Sequence, residues 1–306
     1  MRLPIEGIDD EQVFSLRSID DMEHIKRFID QKKPQRAVII GTGFIGLELC
    51  ENLAGLGVGV TLVERQLQVA PGLDSDMAAV VQEHIVSKGA QVITNSGVVA
   101  IFRDHVVLAS GEKVMADMVI VAAGVRPDTE LAKKAGIALG LAGAIKVDRR
   151  MQTNLPGIYA CGDCIEQYHL VTGLPVYRPL GSTANKTGRI AGECATGGSL
   201  EFRGVLGTGI SRVFDLTIAQ TGLSEHEARE LGYEIVVSRD KKPDKAPYMG
   251  GKRMIIKAVA ISGDGRLLGV QILGEDGVDK RIDVFATAIS LGAKAEDLFH
   301  LDLAYA

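Results

Sequence analysis

The hydrophobic positions of this chain change period several times, and each change marks an element. Ser18 suits an N-cap with Asp21 three residues later, and Met22, Ile25, Phe28 and Ile29 recur at helical spacing up to Lys32-Lys33-Pro34. Ala37-Val38-Ile39-Ile40 follows as a wholly apolar, β-branched run, the pattern of a buried parallel strand. Leu47, Leu49, Cys50, Leu53 and Leu56 give the next stretch one apolar helical face. Gly57 stops it, and residues 58–63 predict a second strand that ends on Glu64. Ser75 or Asp76 can cap a helix running to about residue 88, and residues 90–94 read as a third strand. Residues 98–102 and 105–109 then predict a hairpin, and 115–122 another buried strand. Such an order predicts an α/β unit with an inserted β-meander, closing near residue 143.

Residues 1–16 show no helical period and contain Pro4 and Gly7, which predicts an extended lead-in. Residues 147–162 hold a strand-like sequence. One helix is predicted over 181–195, entered through Gly181-Ser182-Thr183-Ala184-Asn185, and Gly197-Gly198 suits a hinge. From about residue 204 the pattern becomes that of an antiparallel sheet with helices. Strands are predicted over 213–219, 233–238, 253–262 and 267–273, the last two joined by the turn Asp264-Gly265. Ser224 caps a helix to Leu231, and further helices are predicted over 279–291 and near 295. The chain therefore divides into a lead-in (1–16), an α/β unit (17–143), a third segment (144–203) and an α+β unit (204–306).

Composition narrows the function classes. The chain has 306 residues, 46% of them hydrophobic, enough to fill more than one core. A net charge of −5 with no concentrated basic tract argues against a nucleic-acid or membrane-surface partner. No apolar run reaches the roughly 18 residues of a membrane span, and Met1-Arg2-Leu3-Pro4 lacks the apolar core of a signal peptide, which points to the cytoplasm. Four cysteines in such a chain are expected reduced.

Chemistry concentrates where strand turns into helix. Gly41-Thr42-Gly43-Phe44-Ile45-Gly46 stands between the first strand and the second helix. Gly41 permits the tight turn, Gly43 lets the backbone approach a pyrophosphate, and Gly46 lets helix and strand pack closely. Glu64 follows Gly41 by 23 residues, where a carboxylate can accept bonds from ribose hydroxyls and repel a 2′-phosphate. The expected ligand is NAD(H) in preference to NADP(H), with Arg65 alongside working against that preference. Ala122-Ala123-Gly124-Val125-Arg126-Pro127-Asp128 follows the last strand, and Gly124 there permits close approach of chain to cofactor. Asp163, at the end of Thr153-Asn154-Leu155-Pro156-Gly157-Ile158-Tyr159-Ala160-Cys161-Gly162-Asp163, is placed either to bind a polyol hydroxyl or to cap a helix. Cys161 and Cys164 form a C-x-x-C that could be a dithiol, half a metal site or packing. Cys50 and Cys194 do not complete a zinc set, so no metal is expected and packing is preferred. Lys241-Lys242-Pro243-Asp244-Lys245 reads as a solvated loop.

Taken in order, the Gly41–Gly46 loop with Glu64, the 122–128 segment, the 153–163 segment and the helix at Ala184 resemble the pyridine nucleotide-disulfide oxidoreductases. The similar branch is that of coenzyme A-disulfide reductase, NADH oxidase and NADH peroxidase. The resemblance implies a Rossmann-like NAD-binding domain with a β-meander (17–143), the second half of an FAD-binding domain (144–203, with 1–16 as its lead-in) and a C-terminal α+β dimerisation domain (204–306). It implies hydride transfer from NADH to FAD and on to a cysteine acting on a disulfide, persulfide or peroxide, in a twofold homodimer. By resemblance Phe44 is the aromatic gate at the flavin, Glu48 a carboxylate near the nicotinamide, Asp163 the ribityl ligand, and Ala184 with Asn185 the helix start facing the flavin. Tyr248 and Tyr305 resemble tyrosines that reach the partner subunit's site, where a phenol can stabilise a thiolate. His300 precedes Leu301 and so departs from the His-Pro pair of glutathione reductase-like relatives. The relatives' first glycine motif and redox cysteine segment do not occur, so the expectation is of a piece of a larger enzyme without disulfide-reductase turnover of its own, the alternatives being an NADH oxidase or peroxidase on the same frame, or a non-catalytic nucleotide-binding and dimerising module.

Overall fold

The computed structural model describes residues 3–304. Its first unit runs β1 (Val13–Ser15), α1 (Ile19–Lys32), β2 (Arg36–Ile40), α2 (Phe44–Gly55), β3 (Gly59–Val63), α3 (Ser75–Ser87), β4 (Gln91–Ile93), β5 (Val98–Ile101), β6 (His105–Leu108), β7 (Lys113–Met115) and β8 (Met118–Val121). Five strands form a parallel sheet in the order β1-β8-β2-β3-β4, and β5-β6-β7 form an antiparallel meander. β2 and β3 are buried along almost their whole length, as strands covered on both faces must be. Two expectations change here. Residues 115–122 make two strands, because Asp117 between them turns its carboxylate onto the N–H groups of Gln35 and Arg36, each at 3.0 Å, and onto the Arg36 guanidinium at 2.9 Å. Part of the lead-in joins these sheets: β1 pairs with β8 of the parallel sheet, and Glu6 bridges Ala100 of the meander.

After α4 (Glu130–Lys134) comes a smaller unit holding β9 (Gln167–Tyr168), β10 (Pro175–Val176) and α5 (Gly181–Ala195). The strand-like stretch at 147–162 forms no ladder and makes only a single bridge, Gln152 to Tyr159. Ile145, Val147, Met151, Ile165, Ile190 and Phe202 nevertheless bury themselves in a separate apolar cluster.

The last unit contains β11 (Gly209–Val213), β12 (Leu216–Gly222), α6 (Glu225–Glu230), β13 (Ile235–Pro243), β14 (Arg253–Ile261), β15 (Leu267–Gly274), α7 (Val278–Ser290) and α8 (Ala295–Phe299). Its antiparallel sheet has the order β11-β12-β15-β14-β13. The strand predicted over 213–219 is instead a hairpin that turns at Phe214-Asp215, with Phe214 at φ +54°. β15 is buried at every position. One sheet face meets α7, through residues such as Val270, Ile272, Val278 and Ile282. On the other face, Val213, Leu216, Ile218, Ile255 and Leu273 share an apolar cluster with Leu47, Leu53, Met77, Val81 and Ile85 of α2 and α3. Both helices thus lie between the parallel and the antiparallel sheet.

Polar contacts lock that junction. Asp74, rather than the predicted Ser75 or Asp76, is the N-cap of α3, yet its carboxylate caps a different helix: it accepts the N–H groups of Glu225 and His226, both at 3.0 Å. Lys257, only 4% exposed, brings its ammonium to Asp76 at 2.7 Å, Glu225 at 2.8 Å and Asp74 at 3.2 Å. On the opposite side Glu51 of α2 accepts the N–H of Phe214 at 2.8 Å. His84 Nε2 and Lys88 Nζ of α3 lie 2.9 and 2.7 Å from the Asp215 carboxylate. Among the described residues no helix is long and apolar enough to cross a membrane.

Candidate functional site

The three loop glycines have different reasons to be glycine. Gly41 has φ +104°, and a Cβ on it would stand 2.5 Å from the carbonyl oxygen of Ala122. A Cβ on Gly46 would stand 2.1 Å from the Gly41 carbonyl oxygen. These two are demanded by the turn and by helix–strand packing. Gly43 differs. It is the N-cap of α2 at φ −70° and ψ −177°, ordinary extended backbone, and a Cβ there would meet nothing within 4 Å. Nothing in the chain itself requires a glycine at this position, which leaves room for the approach of a ligand. No side chain caps α2 and its first turn carries no acidic residue, so the helix offers free N–H groups and the positive end of its dipole to that visitor.

Glu64 is drawn into the loop. Only 7% exposed, it accepts the Thr42 N–H at 3.0 Å and the Thr42 hydroxyl at 2.8 Å on one oxygen, and the Gln66 N–H at 2.9 Å on the other. A carboxylate has about four acceptor positions. Three are used internally, which clamps the loop and leaves capacity for a further hydroxyl. Thr42 is therefore the hydroxyl that fixes Glu64, a role its place between two glycines did not reveal. Arg65 is exposed beyond it.

Phe44 and Ile45, the first residues of α2, stand exposed beside Gly43, and Glu48 one turn on is exposed with no side-chain partner. The segment after β8 runs past the same loop, since Ala122 abuts Gly41. Gly124, at φ +93° and exposed, follows it. These residues form one surface at the C-terminal ends of the parallel strands, where such sheets bind ligands.

A second cluster stands on the smaller unit. Residues 162–164 form a single 3-10 turn, tied to α5 by the Gly162 N–H on the Thr187 hydroxyl at 3.1 Å. Thr187 Oγ1 in turn donates to the carbonyls of Thr183 and Ala184. The turn presents an exposed Asp163 beside the start of α5, whose N-cap Leu180 supplies no side-chain bond. Ala184 is half-buried and Asn185 exposed. Tyr177 donates its hydroxyl to the Asp163 carbonyl at 3.0 Å, and burial together with Asp163 pushes that phenol above its ordinary range. An uncapped fifteen-residue helix beside a free carboxylate fits a ligand with one electron-rich edge and one hydroxyl-bearing edge. Cys161 and Cys164 are both free thiols. The Cys164 S–H donates to the Cys161 carbonyl at 3.2 Å, and burial, with Cys161 nearby, raises its pKa, the opposite of what an attacking thiol needs. Among the described residues no group of three or more His, Cys, Asp or Glu could hold a metal.

Tyr248 stands apart from both clusters. It occupies a 3-10 turn between β13 and β14, is 83% exposed and makes no side-chain hydrogen bond. Tyr305 lies outside the described residues. The lysines near Tyr248 are held by neighbouring carboxylates: Lys242 by Asp240 at 2.7 Å, Lys245 by Asp276 at 3.1 Å and Lys252 by Glu275 at 3.3 Å. His300, at the end of α8, only packs edge-on against Phe299, with ring centroids 5.2 Å apart.

Residues 1–176 match the pyridine nucleotide-disulphide oxidoreductase family, and residues 210–306 match that family's dimerisation domain. The chain belongs to this family. An NADH oxidase of Methanocaldococcus jannaschii is 38% identical over 99% of this chain and 68% of its own length. A NAD-dependent persulfide reductase from A. fulgidus superimposes with a TM-score of 0.96 at 42% identity, covering 100% of this chain and 57% of that one. The reduced CoADR-RHD of Bacillus anthracis gives a TM-score of 0.97 at 41% identity, covering 100% of this chain and 56% of that one. The chain thus spans little more than half the length of these two solved relatives. NAD(H) and FAD are the cofactors of the family, and the two clusters fit them: the glycine loop with Glu64 fits the dinucleotide, and Asp163 with the start of α5 fits part of a flavin.

Proposed function

We propose that this chain is the NADH-binding, flavin-flanking and dimerising part of an NADH- and FAD-dependent oxidoreductase that acts on a disulfide or persulfide, most similar to coenzyme A-disulfide reductase. The observation that carries the reading is Gly43, a glycine with no internal reason to be one, at the uncapped start of α2 and beside a clamped acidic residue. In this reading the free N–H groups of α2 bind the dinucleotide pyrophosphate and the remaining acceptor capacity of Glu64 takes a ribose hydroxyl. Glu64 also disfavours a 2′-phosphate by charge. Phe44 and Glu48, one turn apart on α2, border the nicotinamide. Asp163 and the N–H groups at Gly181–Ala184 hold the flavin, which when bound supplies two-electron transfer between NADH and sulfur. Gly124 lets the chain after β8 pass close to the cofactor. Tyr248, exposed and unpartnered, suits a residue completed by the partner subunit of a homodimer, with Tyr305 assigned the same role by resemblance.

An NADH oxidase or peroxidase is the second reading, with oxygen or peroxide as the electron acceptor, and the similarity to the M. jannaschii protein favours the oxidase. Titration of the purified chain with NADH and NADPH, beside an absorbance spectrum from about 350 to 500 nm for bound flavin, tests the proposal. NADH binding tighter than NADPH is the expected result. Failure to bind either nucleotide sinks the assignment of Gly41 to Glu64. A disulfide- or persulfide-dependent NADH oxidation by this chain alone would overturn the expectation that it lacks turnover.

A further inference from the structure

The ring of Phe44 is not free on both sides. It lies against the backbone of Gly209, the first residue of β11, where a Cβ would stand 3.1 and 3.3 Å from two ring carbons. Phe44 remains 37% exposed. Gly209 is absent from the positive-φ positions and pairs in regular register with Gln220 of β12, so its backbone does not require glycine. The aromatic ring is the one close neighbour that a side chain there would press. Contacts at the far end of the same strand also fix the spacing of the two backbones: Glu51 accepts the Phe214 N–H and Lys88 pairs with Asp215. Leu47 and Val213 share the apolar cluster between them. A side chain at 209 therefore presses on the Phe44 ring, which must give by a few tenths of an ångström for a methyl and by more for a larger group.

We propose that Gly209 is a positioning residue that sets the resting place of the Phe44 ring and so how readily the nicotinamide displaces it. The proposal rests on the reading of Phe44 as the ring that borders the nicotinamide. It assigns to the dimerisation unit a part in nucleotide selectivity, exerted across the domain junction by one absent side chain.

The test uses Gly209→Ala and Gly209→Val in the full chain, each also placed in a Phe44→Ala background. Binding is measured for NADH and for ADP-ribose, which lacks the nicotinamide ring, and the unfolding midpoint is recorded for every variant. Gly209→Val should weaken NADH by about three- to tenfold, the worth of one aromatic stacking contact, and leave ADP-ribose within about twofold. Gly209→Ala should act in the same direction and less, and it decides the matter if the valine variant does not fold. In the Phe44→Ala background neither substitution at 209 should change either ligand, and the fall in unfolding midpoint caused by Gly209→Val should shrink. Equal weakening of both ligands, unchanged NADH binding, or an effect that survives in Phe44→Ala overturns the proposal while leaving the nucleotide site itself in place. A wild-type chain that binds ADP-ribose no better than it binds free ribose overturns the nucleotide reading and this inference with it.

Discussion

Replacing Gly43 and Gly46 separately by alanine pulls apart two functions that one glycine motif combines. At Gly46 the new methyl would stand 2.1 Å from the Gly41 carbonyl oxygen and 3.6 Å from the Ala122 Cβ. The nearer atom is backbone and cannot rotate away, so α2 must shift from β2 and β8, an overpacking that costs about 1–3 kcal/mol or more. The gain in helix propensity returns about 1 kcal/mol at most. At Gly43 the methyl meets nothing within 4 Å and φ is −70°, so the loss is that of a changed N-cap, a few tenths to about 1 kcal/mol. Binding should invert the order. A methyl on Gly43 keeps a pyrophosphate from the N–H groups of α2, and two hydrogen bonds to a charged group at about 1.5 kcal/mol each amount to roughly 3 kcal/mol, or about a hundredfold in affinity. Urea unfolding followed by circular dichroism and NADH titration at one fixed ionic strength give both quantities. Gly43→Ala should keep the unfolding midpoint and lose NADH; Gly46→Ala should lose stability first. A Gly43→Ala chain that binds NADH like the wild type refutes the argument, as does one that unfolds as readily as Gly46→Ala.

Lys257→Met should destabilise the chain by about 3 kcal/mol, the lower end for breaking a buried charge cluster because Asp76 and Glu225 are partly solvated. Lys257 holds Glu225 below its ordinary pKa, and the three carboxylates hold Lys257 above its own despite burial. The cluster therefore contributes fully between the ordinary carboxylate and lysine ranges, and the deficit of Lys257→Met in urea midpoints should shrink as pH falls and the carboxylates take up protons; a deficit that does not vary with pH would count against it. His169 is 1% exposed, and burial, with Arg178 nearby, pushes it down to about 4; its Nδ1 accepts the Val171 N–H while Nε2 has no partner. The unfolded chain takes this proton first, so stability should fall by about 1.4 kcal/mol per pH unit from pH 6.5 toward 4, and His169→Leu should flatten that slope in denaturation measured across the range. Cys50 is fully buried and its thiol is pushed up to about 12 by burial and by Glu51, so under native conditions iodoacetamide should modify Cys161 before Cys50, with mass spectrometry of peptides as the readout.

Legibility in the sequence followed the length and period of the pattern. α1, α5 and α7 stand within a residue or so of their expected bounds, because the helical period is clear in each and in α1 the Ser18–Asp21 capping box agrees with it. The sequence pattern could not see that 115–122 breaks at Asp117 or that 213–219 folds back at Phe214, since both breaks depend on partners remote in the chain: the N–H groups of Gln35 and Arg36 in one case, Glu51 in the other. The same holds for Asp74, which looks like a local cap and serves a helix about 150 residues away. Around the candidate site, the strand, turn and helix that carry Gly41, Gly43, Gly46 and Glu64 were readable because these elements impose their spacing. Thr42 was readable only as a member of the loop, and Gly209 not at all. Its one sequence signal is a glycine opening a strand, which marks a close approach without saying of what.

α2 explains why the nucleotide site and the dimerisation unit cannot be treated as independent. Its first turn carries Phe44 and the free N–H groups, and Leu47, one turn on, already belongs to the apolar cluster shared with Val213 and Ile218 of the antiparallel sheet. Glu51, a further turn along, is bonded to the hairpin of that sheet. A twelve-residue helix is about 18 Å long, and packed side chains do not absorb displacement over such a span. A shift of the antiparallel sheet must therefore reach the start of α2, while α3, through Lys88, Asp76 and the loop at Asp74, resists rotation about that helix. On the proposed reading the antiparallel sheet backs the helix that presents the glycine loop, and a substitution in β11 or β12 that moves this sheet should change NADH affinity without touching the nucleotide.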